Sequence, residues 1–342
     1  MTDDHLAVRV LDVGDPADRS LLADWVAVRT RSATHDLGRY ASPLTLEEYV
    51  AFSGYEAFAR VTYAGLVGER VVAAGAVTLP QQDNPTAAYL VLDVLPTQRR
   101  RGFGTTLLSA LETTAAEHGR TSLMAETAWP ADGHDVAGER FLAPRGYECA
   151  LTSIQSDLSL DALPNADLAE LTTPADGYVV EWAEGALPQG WLADRAVLAT
   201  RMSTDAPSGG LDLTQESWDA DRVRASIDVE LSAGRYGLEA AARHLGSGRL
   251  VAYSHVAVSP DTPDLAYQND TLVLREHRGH RLGARMKAVT AAVLRARRPE
   301  VTTIRTWNAT TNEHMLAVNV AMGFRPVAYE AEWQRRRREG PP

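Results

Sequence analysis

The chain has 342 residues, 45% hydrophobic and 23% charged, and its 34 basic and 45 acidic side chains leave a net charge of −11. That length fits about two globular domains, and the acidic balance argues against nonspecific nucleic-acid or anionic-membrane binding. Cys149 is the single cysteine, which excludes a disulfide framework and a cysteine metal site, and no metal is expected.

In chain order, residues 6–13 alternate as a strand, and 16–31 carry Leu21, Leu22, Trp25 and Val28 on one helical face. Residues 44–52 read as a second short helix. Residues 57–64 and 70–79 form a hairpin pair around Gly65, Leu66, Val67 and Gly68. After a turn with Pro85 comes the segment that organises the chain, 90–118, LVLDVLPTQRRRGFGTTLLSALETTAAEH. An apolar run breaks at Pro96 and enters a basic glycine turn from Arg99 to Gly104. It continues as a helix with Phe103, Leu107, Leu108, Leu111 and Ala115 on one face, and His118 and Gly119 supply a stop. Residues 121–127 read as a strand, 130–133 as a loop, 136–143 as a short helix, and 147–158 as the strand closing the first half.

Residues 159–177 hold two prolines, several aspartates and no clear period, and read as a linker. The pattern restarts with a strand at 178–182 and helices at 191–201 and 217–231, with a mobile loop expected at 203–213. Strands follow at 235–244 and 249–258, then a turn holding Pro260 and Pro263, and a strand at 266–274. A helix starts at Leu282, a strand covers 301–307, a helix capped near Thr310 to Asn312 runs to Met322, and 324–333 form the last strand. The tail carries Arg335, Arg336, Arg337 and Arg338 and reads as a frayed, solvated terminus.

The second half repeats the first. Thr271 to Leu294, TLVLREHRGHRLGARMKAVTAAVL, is again strand, basic turn and helix, with Leu282, Met286, Val289 and Val293 on one face. Arg278 repeats Arg99 and Leu250 repeats Val71, both after 179 residues, and Gly323-Phe324 repeats Gly146-Tyr147 after 177. The chain therefore reads as two tandem copies of one α/β domain, 1–158 and 178–334, with a linker at 159–177 and an arginine-rich tail at 335–342. Turn glycines let backbone N–H groups approach a ligand, a helix N-terminus favours negative charge, and arginines add charge-assisted hydrogen bonds.

The order strand, R-x-x-G-x-G, helix, strand, helix, G-[FY], strand resembles the GNAT acyltransferase superfamily. The signature reads Arg99-x-x-Gly102-x-Gly104 in the first copy and Arg278-x-x-Arg281-x-Gly283 in the second, where Arg281 stands at the first glycine place. The tandem layout is similar to mycothiol synthase and related tandem GNAT proteins. The resemblance implies two α/β domains, each a mostly antiparallel mixed sheet flanked by helices, with one splayed strand pair. It implies acetyl-CoA or another acyl-CoA as cofactor. The pyrophosphate would lie on Arg99, Arg100, Arg101, Gly102, Phe103, Gly104 and Thr105, or on Arg278, Gly279, His280, Arg281, Leu282, Gly283 and Ala284. The pantetheine arm would run beside Val94 or Val273. Asn308, Asn312 and Gly323-Phe324 are similar to the family's fourth-helix region.

Acyl transfer to an amine needs a base and a stabilised oxyanion. At the 179-residue offset His255 faces Ala76, Gln268 faces Tyr89, Asn269 faces Leu90 and Asp270 faces Val91. Polar residues on such a strand are costly without purpose, so turnover is expected in the second copy, with the first degenerate or structural. Asp270 is the candidate base and His255 a relay or substrate contact. Glu230, Glu239, Gln268 and Asn269 are candidates to line the acceptor pocket. Many family members place a tyrosine acid four residues before the closing glycine, and Asn319 and Leu142 stand there instead. The expected function is acetyl transfer to a small-molecule amine. The alternative is a non-catalytic acyl-CoA-binding module or sensor. Neither turn has the lysine and serine of a P-loop, which disfavours a nucleotide-binding protein. No apolar run approaches the roughly 20 residues of a membrane helix, and MTDDHLAVRV lacks a signal-peptide pattern, so a cytoplasmic protein is expected. The sequence does not specify an oligomeric state.

Overall fold

A computed structural model describes residues 5–133, 136–173 and 175–337; the end of the tail, 338–342, lies outside them. The first half contains β1 (Ala7–Leu11), α1 (Arg19–Leu37), α2 (Leu46–Ser53), β2 (Phe58–Val67), β3 (Arg70–Pro80), β4 (Ala87–Val94), α3 (Phe103–Glu117), β5 (Ser122–Pro130), α4 (Ala137–Leu142) and β6 (Glu148–Ser159). The second half contains α5 (Asn165–Thr172), β7 (Tyr178–Glu184), α6 (Leu192–Asp205), α7 (Ala220–Ser232), β8 (Tyr236–His244), β9 (Leu250–Val258), β10 (Leu265–Val273), α8 (Leu282–Arg297), β11 (Thr303–Ala309), α9 (Glu313–Met322) and β12 (Arg325–Arg336). Local chemistry sets the ends of these elements. Thr45 and Glu48 form a capping box on α2, and Gly323, with φ +95°, ends α9.

The chain folds into two units, one of Met1–Thr152, Ser208–Leu213 and Ala328–Pro342, the other of Ser153–Pro207 and Thr214–Val327. The first unit's strands lie in the order β1-β2-β3-β4-β5-β12, all antiparallel except the parallel pair β4–β5. The second unit's order is β7-β8-β9-β10-β11-β6, again antiparallel except β10–β11. The two orders correspond strand for strand.

The closing strands are exchanged relative to the sequence reading. Residues 147–158 were expected to close the first copy, yet β6 pairs with β11, from Ser159↔Thr303 to Ser153↔Ala309. The last strand, β12, pairs with β5 instead, from Ala328↔Pro130 to Arg336↔Ser122. Periodicity reports which face of a strand is buried and says nothing about which of two equivalent edges it fills.

Three further expectations are corrected. The linker contains α5, whose Leu168 and Leu171 are buried with Ala288, Ala291 and Leu294 of α8. The expected mobile loop is helical to Asp205, and Leu211 is buried against Ala87 and Met124. A single apolar anchor in a glycine-rich run leaves no period to read. Finally, Arg335 and Arg336 belong to β12, Arg337 N–H donates to the Thr121 carbonyl, and Arg335 pairs with Glu112 at 2.7 Å. Arg335 and Arg336 are ladder residues and Arg337 is tied to Thr121, so these three are not frayed.

Candidate active site

In each unit the parallel strands pair and then part. β4 and β5 are in register from Ala87↔Ser122 to Leu90↔Ala125, and β10 and β11 from Leu265↔Thr303 to Gln268↔Thr306. Beyond those pairs the backbone of β4 and β10 has no parallel partner, an edge that suits an extended amide chain.

Each parting leads into a basic turn. Two residues in each turn are left-handed: Arg100 (φ 65°) and Gly102 (φ 85°) in the first, Gly279 (φ 90°) and Arg281 (φ 57°) in the second. The positions correspond at the 179-residue offset, with glycine and arginine interchanged. Arg281 therefore closes the second turn as Gly102 closes the first, at the cost of a left-handed non-glycine residue. Gly102 and Arg281 are the N-caps of α3 and α8, and neither cap has a side-chain hydrogen bond. The first-turn N–H groups of a helix have no intrahelical partner, so both turns suit an anion. Gly283 has room above it, since a Cβ there would meet Thr271 and Val273 only at 3.8 and 3.9 Å. Above Gly104 a Cβ would lie 3.2 Å from the Phe141 ring.

The first arginines of both signatures point elsewhere than expected for a phosphate ligand. Arg99 donates through Nε to the Val94 carbonyl and through both terminal nitrogens to Asp36 at 2.7 and 2.8 Å. Arg278 donates likewise to the Val273 carbonyl and to Asp205 at 2.8 Å. These arginines clamp each turn to its own strand and to α1 or α6, respectively. Arg101 lies over the Phe103 ring, Phe103 and Leu282 are buried, Thr105 Oγ1 accepts from Arg145, Arg281 pairs with Glu170, and the His280 ring lies tilted against Tyr178. Ala284 lies in the first turn of α8.

The sheet face of the second unit covered by α6 and α7 is charged. The β9–β10 register shifts between Gln268 and Thr271, a bulge in which Asn269 and Asp270 together oppose His255. β3–β4 keeps one register from Ala73↔Val94 to Thr78↔Tyr89, so Val91 alone opposes Ala76. The bulge also moves Gln268 to the place of Leu90, one residue from the linear alignment with Tyr89. Gln268 is buried, and its Nε2 donates to the His255 carbonyl at 2.7 Å and to Ser254 Oγ at 3.1 Å. It thus braces the bulge, where the sequence suggested a substrate contact.

Asn269 and Asp270 are exposed, and the Tyr253 hydroxyl donates to Asp270 Oδ2 at 3.0 Å. Behind them, Arg195 donates through Nε to both carboxylate oxygens of Glu239, at 3.0 and 3.1 Å, and lies 3.4 Å over the Tyr253 ring. Glu239 is 1% exposed, so it is a buried partner of Arg195 and is not placed to line an acceptor pocket. His255 Nε2 meets the Glu230 carboxylate at 3.0 Å, and its Nδ1 lies 3.6 Å from Glu239. Burial lowers the His255 pKa, but the Glu230 hydrogen bond and the charges of Glu230 and Glu239 outweigh it, so the net shift is upward. Burial and then Asp270's charge push Tyr253 well above the ordinary phenol range, keeping it a donor. Arg195 and Tyr253 were not anticipated. For Tyr253 the signal was the 179-residue offset, which sets it against Ala74.

Residues 25–132 match the acetyltransferase (GNAT) family. No curated protein matches the sequence. A tandem GNAT protein from the clavulanic acid biosynthesis pathway, solved without acetyl-CoA, is 26% identical over 99% of this chain and 100% of its own, with a TM-score of 0.80. The fold is also similar to a GCN5-related N-acetyltransferase from Sphaerobacter thermophilus, with 14% identity, 100% and 98% coverage and a TM-score of 0.66. The chain has the tandem GNAT fold.

On the other face of the second unit, Asn319 is buried within a polar chain. Lys287 Nζ donates to Asn319 Oδ1 at 2.8 Å, and Asn319 Nδ2 donates to Asn308 Oδ1 at 2.6 Å. Asn319 is 2% exposed, so it reaches the parting only through Asn308. Asn312 caps α9, accepting from Met315 N–H. Lys287 went unread because a lysine amid α8's arginines looks solvated, although its repeat position is the inward Leu108. Among the described residues no three His, Cys, Asp or Glu side chains gather as metal ligands, and no helix is long and apolar enough to cross a membrane.

Proposed function

We propose that the chain is an acyl-CoA-dependent N-acyltransferase, acetylating a small amine, with turnover in the second unit. The bulge at Asn269–Asp270 carries this reading. It sets an exposed carboxylate on β10 at the parting from β11, above a buried ionic layer, whereas β3–β4 of the first unit has no bulge and Val91 stands opposite Ala76. Bulges are enriched beside active sites because they re-aim a side chain.

The residues present fit an acyl-CoA. The uncapped start of α8, with Gly283 open above, would hold the pyrophosphate, and the edge of β10 would hold the arm. When bound, it supplies the activated acyl carbon. Asp270 takes the proton from the acceptor ammonium, and the Tyr253 hydroxyl fixes the carboxylate's orientation. A base is needed because an alkylamine titrates near the lysine value of about 10.4. Glu239 and Arg195 hold the floor of the site, and His255 with Glu230 forms its wall. In the first unit Phe141 stands over Gly104 and Val91 replaces the carboxylate, which supports a structural or CoA-binding role there.

The test is incubation with acetyl-CoA and a panel of amines, amino acids, polyamines and aminoglycosides among them, read by mass spectrometry. One acceptor class should gain an acetyl group with release of stoichiometric CoA. Tight acetyl-CoA binding with no transfer to any acceptor would favour a binding module instead.

A further inference from the structure

The two units are one fold built twice, which makes each a control for the other. Lys287 is the sixth residue of α8, and its counterpart, the sixth residue of α3, is Leu108, buried in the apolar core. Asn319 corresponds to Leu142, also buried there. By the register of the parallel pairs, Asn308 corresponds to Thr127. The fold therefore packs well with leucine at two of the three positions. The second unit instead buries an amine, at 2% exposure, and an amide, at 2%. No carboxylate among the described residues pairs with Lys287, whose other neighbour is the Phe324 ring at 5.2 Å. A buried polar group is costly unless it is satisfied or used.

The hydrogen bonds have one direction. Lys287 Nζ donates to the Asn319 carbonyl, and the Asn319 amide nitrogen faces Asn308. That donation takes up the Asn308 carbonyl and leaves the Asn308 amide N–H₂ as the end of the chain. Asn308 is half-buried, on β11 just beyond the last residue paired with β10. Linked donors polarise one another, and the effect is stronger away from water.

We propose that Lys287 is a positioning residue. Through Asn319 it fixes the Asn308 amide with its N–H₂ toward the parting of β10 and β11, as the donor that receives a carbonyl of the acyl-CoA arm. Burial, with no carboxylate among the described residues beside it to hold its charge, pushes the Lys287 ammonium down to about 7. The proposal rests on the assignment of acyl-CoA to the second unit.

The test is calorimetric titration of the full chain with CoA, without acceptor. Lys287→Met keeps the length and apolar stem of the side chain. It should leave the melting temperature equal or higher, because an unpaired buried amine is removed. It should also weaken one class of CoA site about tenfold. Asn308→Ser should weaken the same site, and the double variant no further, because the two act in series. In turnover, KM for acetyl-CoA should rise while kcat and the acceptor KM hold. If the unaltered chain binds no CoA, the parent reading and this one both fall. Unchanged CoA affinity in folded Lys287→Met, or additive losses in the double variant, overturns this proposal alone.

Discussion

Glu332 lies directly across the ladder from Glu126, and burial, then the charge of Glu126, pushes its carboxyl up to about 7. The folded chain thus keeps a proton that the unfolded chain releases near 4.5. The stability this contributes is present below that value and is lost as pH rises to about 7. Glu332→Gln should therefore melt higher than the unaltered chain at pH 8, with the gap shrinking toward pH 5. An equal gap at both pH values would show that the effect is not titration. Residue by residue, Asp270 stands out in the sequence because a carboxylate occupies a place where the first copy has an apolar strand. Gln268 and Glu239 were legible as unusual but not in role, since sequence does not show that one braces a bulge and the other answers Arg195. Arg99 and Arg278 looked like phosphate ligands because their acidic partners, Asp36 and Asp205, lie 63 and 73 residues away.

At the scale of elements, the strand–turn–helix unit was read from sequence almost to its ends, because period, proline and glycine all speak locally. The turn's geometry was not, because Arg281 adopts the left-handed conformation that Gly102 adopts at the corresponding place. A left-handed non-glycine residue costs roughly 1–2 kcal/mol, and the exposed Arg281–Glu170 pair returns little of it. Arg281→Gly should accordingly stabilise the chain by about 1 kcal/mol in denaturant unfolding, and Gly102→Arg should destabilise it by a similar amount. A stable Gly102→Arg, or no gain from Arg281→Gly, would mean that the turns relax to another shape. The exchanged closing strands lay beyond sequence reading for a different reason. β6 pairs with β11 and β12 with β5, partners far away in sequence, so no local signal marks the edge each fills.

For the whole molecule, duplication was legible because landmarks recur at nearly one offset, and the fold follows it strand for strand. What duplication leaves open is which unit works, and the proposed site lies in the second. The direct measurement is steady-state acetyl transfer, with an acceptor from the amine panel, by Asp270→Asn and Glu126→Gln beside the unaltered chain, each with its melting curve. General-base assistance is typically worth about 10²–10⁴-fold. Asp270→Asn should lower kcat at neutral pH at least tenfold with acetyl-CoA affinity nearly unchanged, and higher pH should restore part of the rate by deprotonating the acceptor. Glu126→Gln, at the corresponding parting of the first unit, should turn over normally. Full activity in Asp270→Asn together with lost activity in a well-folded Glu126→Gln would contradict the account and place the chemistry in the first unit.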